Sequence, residues 1–193
     1  MKPLSISLLT VCGIEELPGH QARNVTHVLS LLDPDWPEIE TFREFGEHHR
    51  TTLKFHDIIE PLPGRIAPAP DDVEEILRFG AGLAETSGSR DEGHLLVHCH
   101  MGVSRSTAAM LSLLAQTYPG EAEDLLFDRL REIRPQAWPN SRMIGFADEV
   151  LGRGGRLTEA LRRHYGRQVA RDPNFADWMA KLGRGREVEM AVS

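Results

Sequence analysis

Cysteine is scarce in this 193-residue chain: there are two, Cys12 and Cys99. Two thiols cannot brace a fold. This excludes a disulfide scaffold and fits a reducing compartment. Long apolar runs are missing as well. No stretch reaches the ~18 residues of a membrane span. Met1 to Val11 has one Lys, a short apolar stretch and no small-residue cleavage site, so it reads as a first strand rather than a secretory signal. The expected location is the cytoplasm. Positive charge is outnumbered, with 22 Lys and Arg against 29 Asp and Glu, a formal net of −7 that argues against general nucleic-acid binding. Residues 150–193 run the other way, with nine basic and five acidic side chains, a net of +4, leaving −11 on the rest. A mildly basic, solvated helix accounts for that tail. Internal repeats and low-complexity segments are absent.

What remains is ordinary for a globular domain: 40% hydrophobic and 26% charged residues, in a chain long enough to bury a core. Leu4–Val11 and Val25–Leu32 are short apolar runs and read as strands. Glu38–His48 reads as a helix with Ile39, Phe42 and Phe45 on one face. Thr51–Ile58 alternates and predicts a strand ending near Asp57. Glu60–Pro70 holds four prolines and is an ordered loop. Asp71 opens a helix, with Glu74 at capping-box spacing and Val73, Ile76, Leu77, Gly80 and Leu83 in helical period. Ser87–Gly93 is a turn, and His94–His98 fits a buried parallel strand. The helix from Ser104 is apolar nearly all round and therefore central. Further helices are predicted over Glu121–Arg134, Ser141–Leu151 with Asn140 as N-cap, Leu157–Tyr165, and around Phe175–Leu182. Alternating strands and helices imply an α/β fold, a mainly parallel sheet with helices on both faces and an extra C-terminal helical segment. Ligands on such sheets bind beyond the carboxyl ends of the strands, where Asp57 and Cys99 fall.

Chemistry concentrates in His98-Cys99-His100-Met101-Gly102-Val103-Ser104-Arg105-Ser106-Thr107, between the buried strand and the central helix. A tight strand-to-helix loop turns successive N–H groups inward and forms an anion-binding nest with the helix N-terminus. A glycine at Gly102 lets the backbone curl around an oxyanion. A free thiol ionises near pH 8.5, and a helix N-terminus with a nearby cation favours the thiolate. One loop can thus activate a nucleophile and hold an electrophile. The planar fork of Arg105 can bind two phosphate oxygens at once, which Lys cannot. The Ser106 hydroxyl can hydrogen-bond the cysteine sulfur. Cys12, in an apolar strand pattern, reads as a small buried hydrophobe.

His-Cys, five residues, Arg, Ser/Thr is the signature of the protein tyrosine phosphatase superfamily. Residues 1–155 resemble its compact dual-specificity and bacterial members. The Leu95–Val97 strand, the Pro139-Asn140 step and Asp57 within Leu53–Ile58 extend the likeness. The resemblance implies a phosphatase domain over 1–155, with 156–193 as a helical extension packed on it or trailing it. It implies Cys99 as nucleophile, Arg105 as phosphate clamp, Ser106 as thiolate stabiliser and His98 as the residue that tunes the cysteine. The backbone from His100 through Met101, Gly102, Val103 and Ser104 to Arg105 would cradle phosphate, with no metal or other cofactor. An upstream Asp would serve as general acid. Asp57 is the candidate, 42 residues before Cys99, with Glu60, Asp71 and Asp72 as competitors.

Three other readings compete. His94, His98, Cys99 and His100 crowd together as metal ligands do, but a metal leaves Gly102 and Arg105 without a role. A sulfur-transfer or arsenate-reducing enzyme also uses a cysteine in an anion loop. A phosphate-binding module would bind without turnover. The expected substrate is phosphotyrosine in a protein, with phosphoserine or phosphothreonine next. Met101 and Val103 bring no cation for a polyphosphate, although His100 is a partial exception.

Overall fold

The apolar runs become four short strands, all parallel. The computed structural model describes residues 6–86 and 93–192. Strands β1 (Ile6–Cys12), β2 (His27–Leu32), β3 (His49–Lys54) and β4 (Gly93–His98) form one sheet in the order β1-β4-β2-β3. β4 is flanked on both sides and every residue in it is buried, as its nearly unbroken apolar sequence requires. The register pairs Cys12 with His98 and Ser30 with His98, so β1 and β4 end level and β2 runs two residues further, to Leu32. The expected turn at Ser87 lies outside the described residues.

The helices are α1 (Pro70–Thr86), α2 (Arg105–Thr117), α3 (Glu123–Ile133), α4 (Ser141–Val150), α5 (Arg156–Arg171), α6 (Pro173–Met179) and α7 (Gly185–Glu189), with a π turn over Ala180–Arg184 between the last two. α2 is central as its composition predicts, buried from Arg105 to Ala115. The main core joins Leu95 and Val97 of β4 to residues of α1 through α6, among them Ile76, Met110, Leu130, Ile144, Leu161 and Met179. The opposite sheet face is covered differently. Its smaller core unites Val28, Leu32 and Leu96 with Leu17, Ile39, Phe42 and Phe45. Those covering segments are 3-10 turns, Ile14–His20 and Glu40–Glu44, rather than α-helices.

The helix expected over Glu38–His48 is thus a correction. Ile39, Phe42 and Phe45 recur every third residue, the period of a 3-10 turn, and three aromatic or branched anchors pin that tighter winding to the sheet. A second correction concerns α1. Pro70 occupies its first turn, where a missing N–H is harmless. The cap is made by Asp72, whose side chain accepts from the Ala69 N–H at 2.8 Å, and not by Asp71 with Glu74. The strand expected to run to Ile58 stops at Lys54.

The tail reaches deep into the core. α5 grips the segment between α3 and α4, which carries Asn140. His164 Nε2 donates to the Ala137 carbonyl at 2.8 Å, and Gln168 donates to Pro135 and Ala137. The Tyr165 hydroxyl donates to the Pro139 carbonyl. Trp138, fully buried, stacks on Tyr165 with ring centroids 4.3 Å apart and meets Phe175 edge-on at 5.8 Å. Its Nε1 donates to Glu187 at 2.7 Å. Residues 156–190 therefore hold the loop that carries Asn140.

His164 also receives a donor, Arg131, on Nδ1 at 2.8 Å, which leaves the ring no place for a second proton. Burial, with Arg131 beside it, pushes its pKa from 6.5 down to about 4, and burial does the same to His98. Between those limits the unfolded chain binds protons that the folded chain refuses. Stability is therefore full above pH 6.5 and declines as pH falls toward 4, by about 3 kcal/mol per histidine. Urea unfolding followed from pH 7 to pH 4 should show that decline, and His164→Gln should remove about half of it.

Candidate active site

The site begins where β4 stops. Cys99 follows directly on His98 and is buried, and α2 begins six residues later at Arg105. The carbonyls in between are tied to the outside of the loop. Ile14 N–H donates to the His100 carbonyl at 3.0 Å. Arg134 donates to the carbonyls of Met101 at 3.1 Å and Gly102 at 2.9 Å. Trp138 N–H donates to Val103 at 2.9 Å, and Asn140 N–H to Ser104 at 3.4 Å. A peptide plane puts its N–H opposite its carbonyl. Carbonyls tied outward from His100 to Ser104 therefore turn the N–H groups of Met101 to Arg105 inward, at the N-terminus of α2. This is an anion nest with its charge sign set by backbone.

Gly102 makes the curl possible. Its φ is +67°, and an added Cβ would lie 2.4 Å from the carbonyl carbon of Cys12 and 2.6 Å from the Gly13 nitrogen. The loop leans on the end of β1, and no side chain fits between them.

Arg105 lies beneath the loop, only 2% exposed. Its Nη1 donates to Asp33 at 2.8 Å and to the Phe55 carbonyl at 2.5 Å. Its buried Nε has no acceptor among the described residues. Such a fork, fixed at one edge and open at another, suits a tetrahedral oxyanion. Ser106 Oγ lies 3.1 Å from Cys99 Sγ, close enough to donate to a thiolate. His98 is fully buried and points into the sheet, with Nε2 2.7 Å from Ser30 Oγ and its ring against Phe42. The neighbouring His100 has other partners: Asp33 N–H reaches its Nε2 at 3.3 Å, and Trp36 packs on its ring at 4.1 Å. Burial and the nearby Arg105 lower the His100 pKa, so it is neutral at pH 7. The loop side chains therefore add no cation of their own beyond Arg105.

Asp57, three residues past β3, reaches the same loop. Its Oδ1 accepts from Ser104 Oγ at 2.7 Å, Asn140 Nδ2 at 3.0 Å and Arg184 Nη1 at 2.7 Å. Asn140 thus buttresses this carboxylate and also caps α4, accepting from Met143 N–H at 3.1 Å. The competing carboxylates are elsewhere. Glu60 pairs with Arg186 on the surface, and Asp72 caps α1. Cys12 is buried, and burial, with Glu16 second, pushes its pKa to about 12. It is the inert hydrophobe its sequence context predicts.

Three residues at the site carry no local sequence signal. Asp33 directly follows β2 as Cys99 follows β4, and that place just past a strand's carboxyl end is all that marks it. Arg134 ends α3 and braces the loop from behind while pairing with Glu16 at 2.8 Å. Arg184 arrives from the tail. Together these elements enclose a cavity of about 330 Å³ above Cys99 and Arg105, with Leu62, Met101, Trp178 and Leu182 among its walls. Leu62, Met101 and Leu182 are each 51% exposed, so the mouth is apolar while the floor is cationic. No group of three or more metal-ligating side chains occurs among the described residues.

No protein-family model matches the chain. It is 31% identical over 156 residues to human protein phosphatase Slingshot homolog 3. That match takes in 79% of this chain and 20% of the other, so the chain spans about one fifth of the curated relative's length. In structure it is similar to the human tyrosine phosphatase-like serine/threonine/tyrosine-interacting protein (TM-score 0.56, 18% identity, 78% of this chain and 95% of that one). It is also similar to human DUSP28 (TM-score 0.56, 16% identity, 77% and 91%). The Yvh1 phosphatase domain of Chaetomium thermophilum is a third (TM-score 0.50, 24% identity, 81% and 95%). At these identities the solved structures establish a shared fold.

The nest makes a direct prediction. Gly102→Ala adds a left-handed strain of about 1–2 kcal/mol and a backbone clash. Calorimetric binding of vanadate should weaken by tenfold or more, while the far-UV circular dichroism of the folded protein is retained.

Proposed function

From the signature around Cys99, the likeness to the Slingshot phosphatase and the shared fold, we propose that this chain is a compact dual-specificity-type member of the protein tyrosine phosphatase superfamily and hydrolyses phosphomonoesters through a phosphocysteine intermediate. The observation that carries the reading is the convergence on Cys99 of the inward N–H groups and the Arg105 fork. The Cys99 thiolate attacks phosphorus, an S–P bond forms and the P–O bond to the leaving group breaks. The departing oxygen takes a proton from the Asp57 carboxyl group. Water then attacks the phosphocysteine and gives its proton to the Asp57 carboxylate. The S–P bond breaks, inorganic phosphate leaves, and the thiolate returns to the donor hydroxyl of Ser106. Charge on the equatorial oxygens meets Arg105 and the N–H groups of Met101 to Arg105 throughout. Asp33 keeps the Arg105 fork in plane.

Phosphotyrosine in a protein is the proposed substrate, with phosphoserine and phosphothreonine as secondary ones. Two observations support this. The cavity floor takes one phosphate, and its apolar mouth suits an aryl group. Within the loop, Met101, Val103 and a neutral His100 supply no second cation for a polyphosphate, and the cavity's Arg65 is exposed to solvent. A reducing, cytoplasmic setting would keep Cys99 out of sulfenic-acid and disulfide forms. No helix among the described residues is long and apolar enough to cross a membrane.

Phosphate release from phenyl phosphate tests the reading. Wild type should turn over and Cys99→Ser should not. Arg105→Lys should lose about 10²–10³ in kcat. Asp57→Asn should lose about 10² or more on phenyl phosphate, and far less on esters with strongly acidic leaving groups. Equal losses on both substrate types would assign Asp57 a structural role.

A further inference from the structure

Arg184 lies 79 positions beyond Arg105 in sequence yet shares its site. The chain gets it there through the π turn, where Gly183 adopts φ +80°. Arg184 is 3% exposed, and every guanidinium nitrogen is used. Nη1 donates to Asp57 Oδ1 at 2.7 Å and to the Asp57 carbonyl at 3.3 Å. Nη2 donates to Ser104 Oγ at 2.8 Å and Glu187 Oε1 at 3.1 Å, and Nε to Glu187 Oε2 at 2.9 Å. Glu187 is itself fully buried and anchored by Trp138 Nε1 and by the Ser141 N–H, each at 2.7 Å. Arg184 is therefore saturated and held rigidly. It is not a spare cation for substrate.

We propose that Arg184 is a positioning residue, which clamps Asp57 against the phosphate loop and sets how readily that carboxyl group takes up and gives up the proton of phosphoester cleavage. The inference rests on the phosphatase reading above and deepens it. Three donors, Arg184, Ser104 and Asn140, converge on Oδ1. Oδ2 has no donor among the described residues and is the oxygen left to carry a proton. The Asp57 side chain remains 30% exposed, so that proton has a path.

The charges around Asp57 come from every element packed on it. The C-terminal segment brings Arg184, backed by Glu187. The phosphate loop and α2 bring Arg105, the Ser104 hydroxyl and a neutral His100. The Pro139-Asn140 segment brings an amide, and α5 brings Tyr165, whose phenol burial keeps neutral. Burial pushes the Asp57 pKa up, but Arg184 and then Arg105 outweigh it, and the net shift is downward. The resting carboxyl group is thus ionised, the form that accepts a proton from water in the second step. The acid form that the first step needs is scarce at neutral pH. The clamp accordingly favours hydrolysis of phosphocysteine and moves the turnover of poor leaving groups toward acid pH.

The test compares wild type, Arg184→Gln and Arg184→Lys by kcat/KM against pH on phenyl phosphate and by carbon-13 titration of the Asp57 carboxyl group. Arg184→Gln should raise both the Asp57 titration and the descending limb by about 1–3 pH units, with turnover at pH 7 rising relative to pH 5. Arg184→Lys should stay near wild type in both. A folded Arg184→Gln with neither shift overturns the proposal, and so does a wild-type Asp57 that titrates at or above an ordinary carboxylate. The latter decides the matter even if Arg184→Gln does not fold. The carbon titration needs no turnover: a wild type that releases no phosphate refutes the phosphatase reading while the clamp is still read directly.

Discussion

Each peptide unit between His100 and Ser104 must satisfy its carbonyl, and each does so on the outer side of the loop. The acceptors are met by the Ile14 N–H just past β1, by Arg134, and by the Trp138 and Asn140 N–H groups. That constraint decides what the loop can hold. With the carbonyls engaged, the N–H groups have one direction left, and α2 adds the partial positive charge of its N-terminus. Cys99 sits at the focus because β4 ends there. The rest of the molecule can be read as support for this one turn: β1 as the wall Gly102 leans on, α3 as the source of Arg134, and α5 as the grip on the segment that carries Asn140.

A line of alternating charge crosses the site: Asp33, Arg105, Asp57, Arg184, Glu187. Buried charges are costly unless paired. Here each carboxylate holds an arginine in orientation, and each arginine holds a carboxylate. Asp33 leaves the Arg105 fork with an open edge, and Glu187 leaves Arg184 facing Asp57. The two arginines so resemble each other in chemistry and differ in role, because one has an unpaired nitrogen and the other has none.

The residues legible in the sequence are those whose partners are local. Cys99, Gly102, Arg105 and Ser106 lie within one strand-loop-helix unit, so their spacing alone carries the geometry. Asp57 was legible as a strand-end carboxylate, and Asn140 by its place before a helix. The strands and the main helices followed from periodicity. The segment at Ile39, Phe42 and Phe45 was misassigned because a three-residue period is easily taken for 3.6 in a short window. Arg184 was invisible for a physical reason. It meets Asp57 across 127 positions, through a left-handed glycine and a π turn that no propensity announces. Likewise the basic tail, which composition describes as a solvated helix, is tied to the core by Trp138, Tyr165 and Glu187. A net charge says nothing about which arginine is buried.

The central claim is that phosphate passes through Cys99 sulfur. Rapid acid quench of Asp57→Asn during turnover of an aryl phosphate, followed by peptide mass spectrometry, tests it most directly. One phosphoryl group on Cys99, absent when Cys99 is replaced by Ser, is the predicted result. Phosphate release with no adduct on Cys99, or with the adduct on another residue, would contradict it.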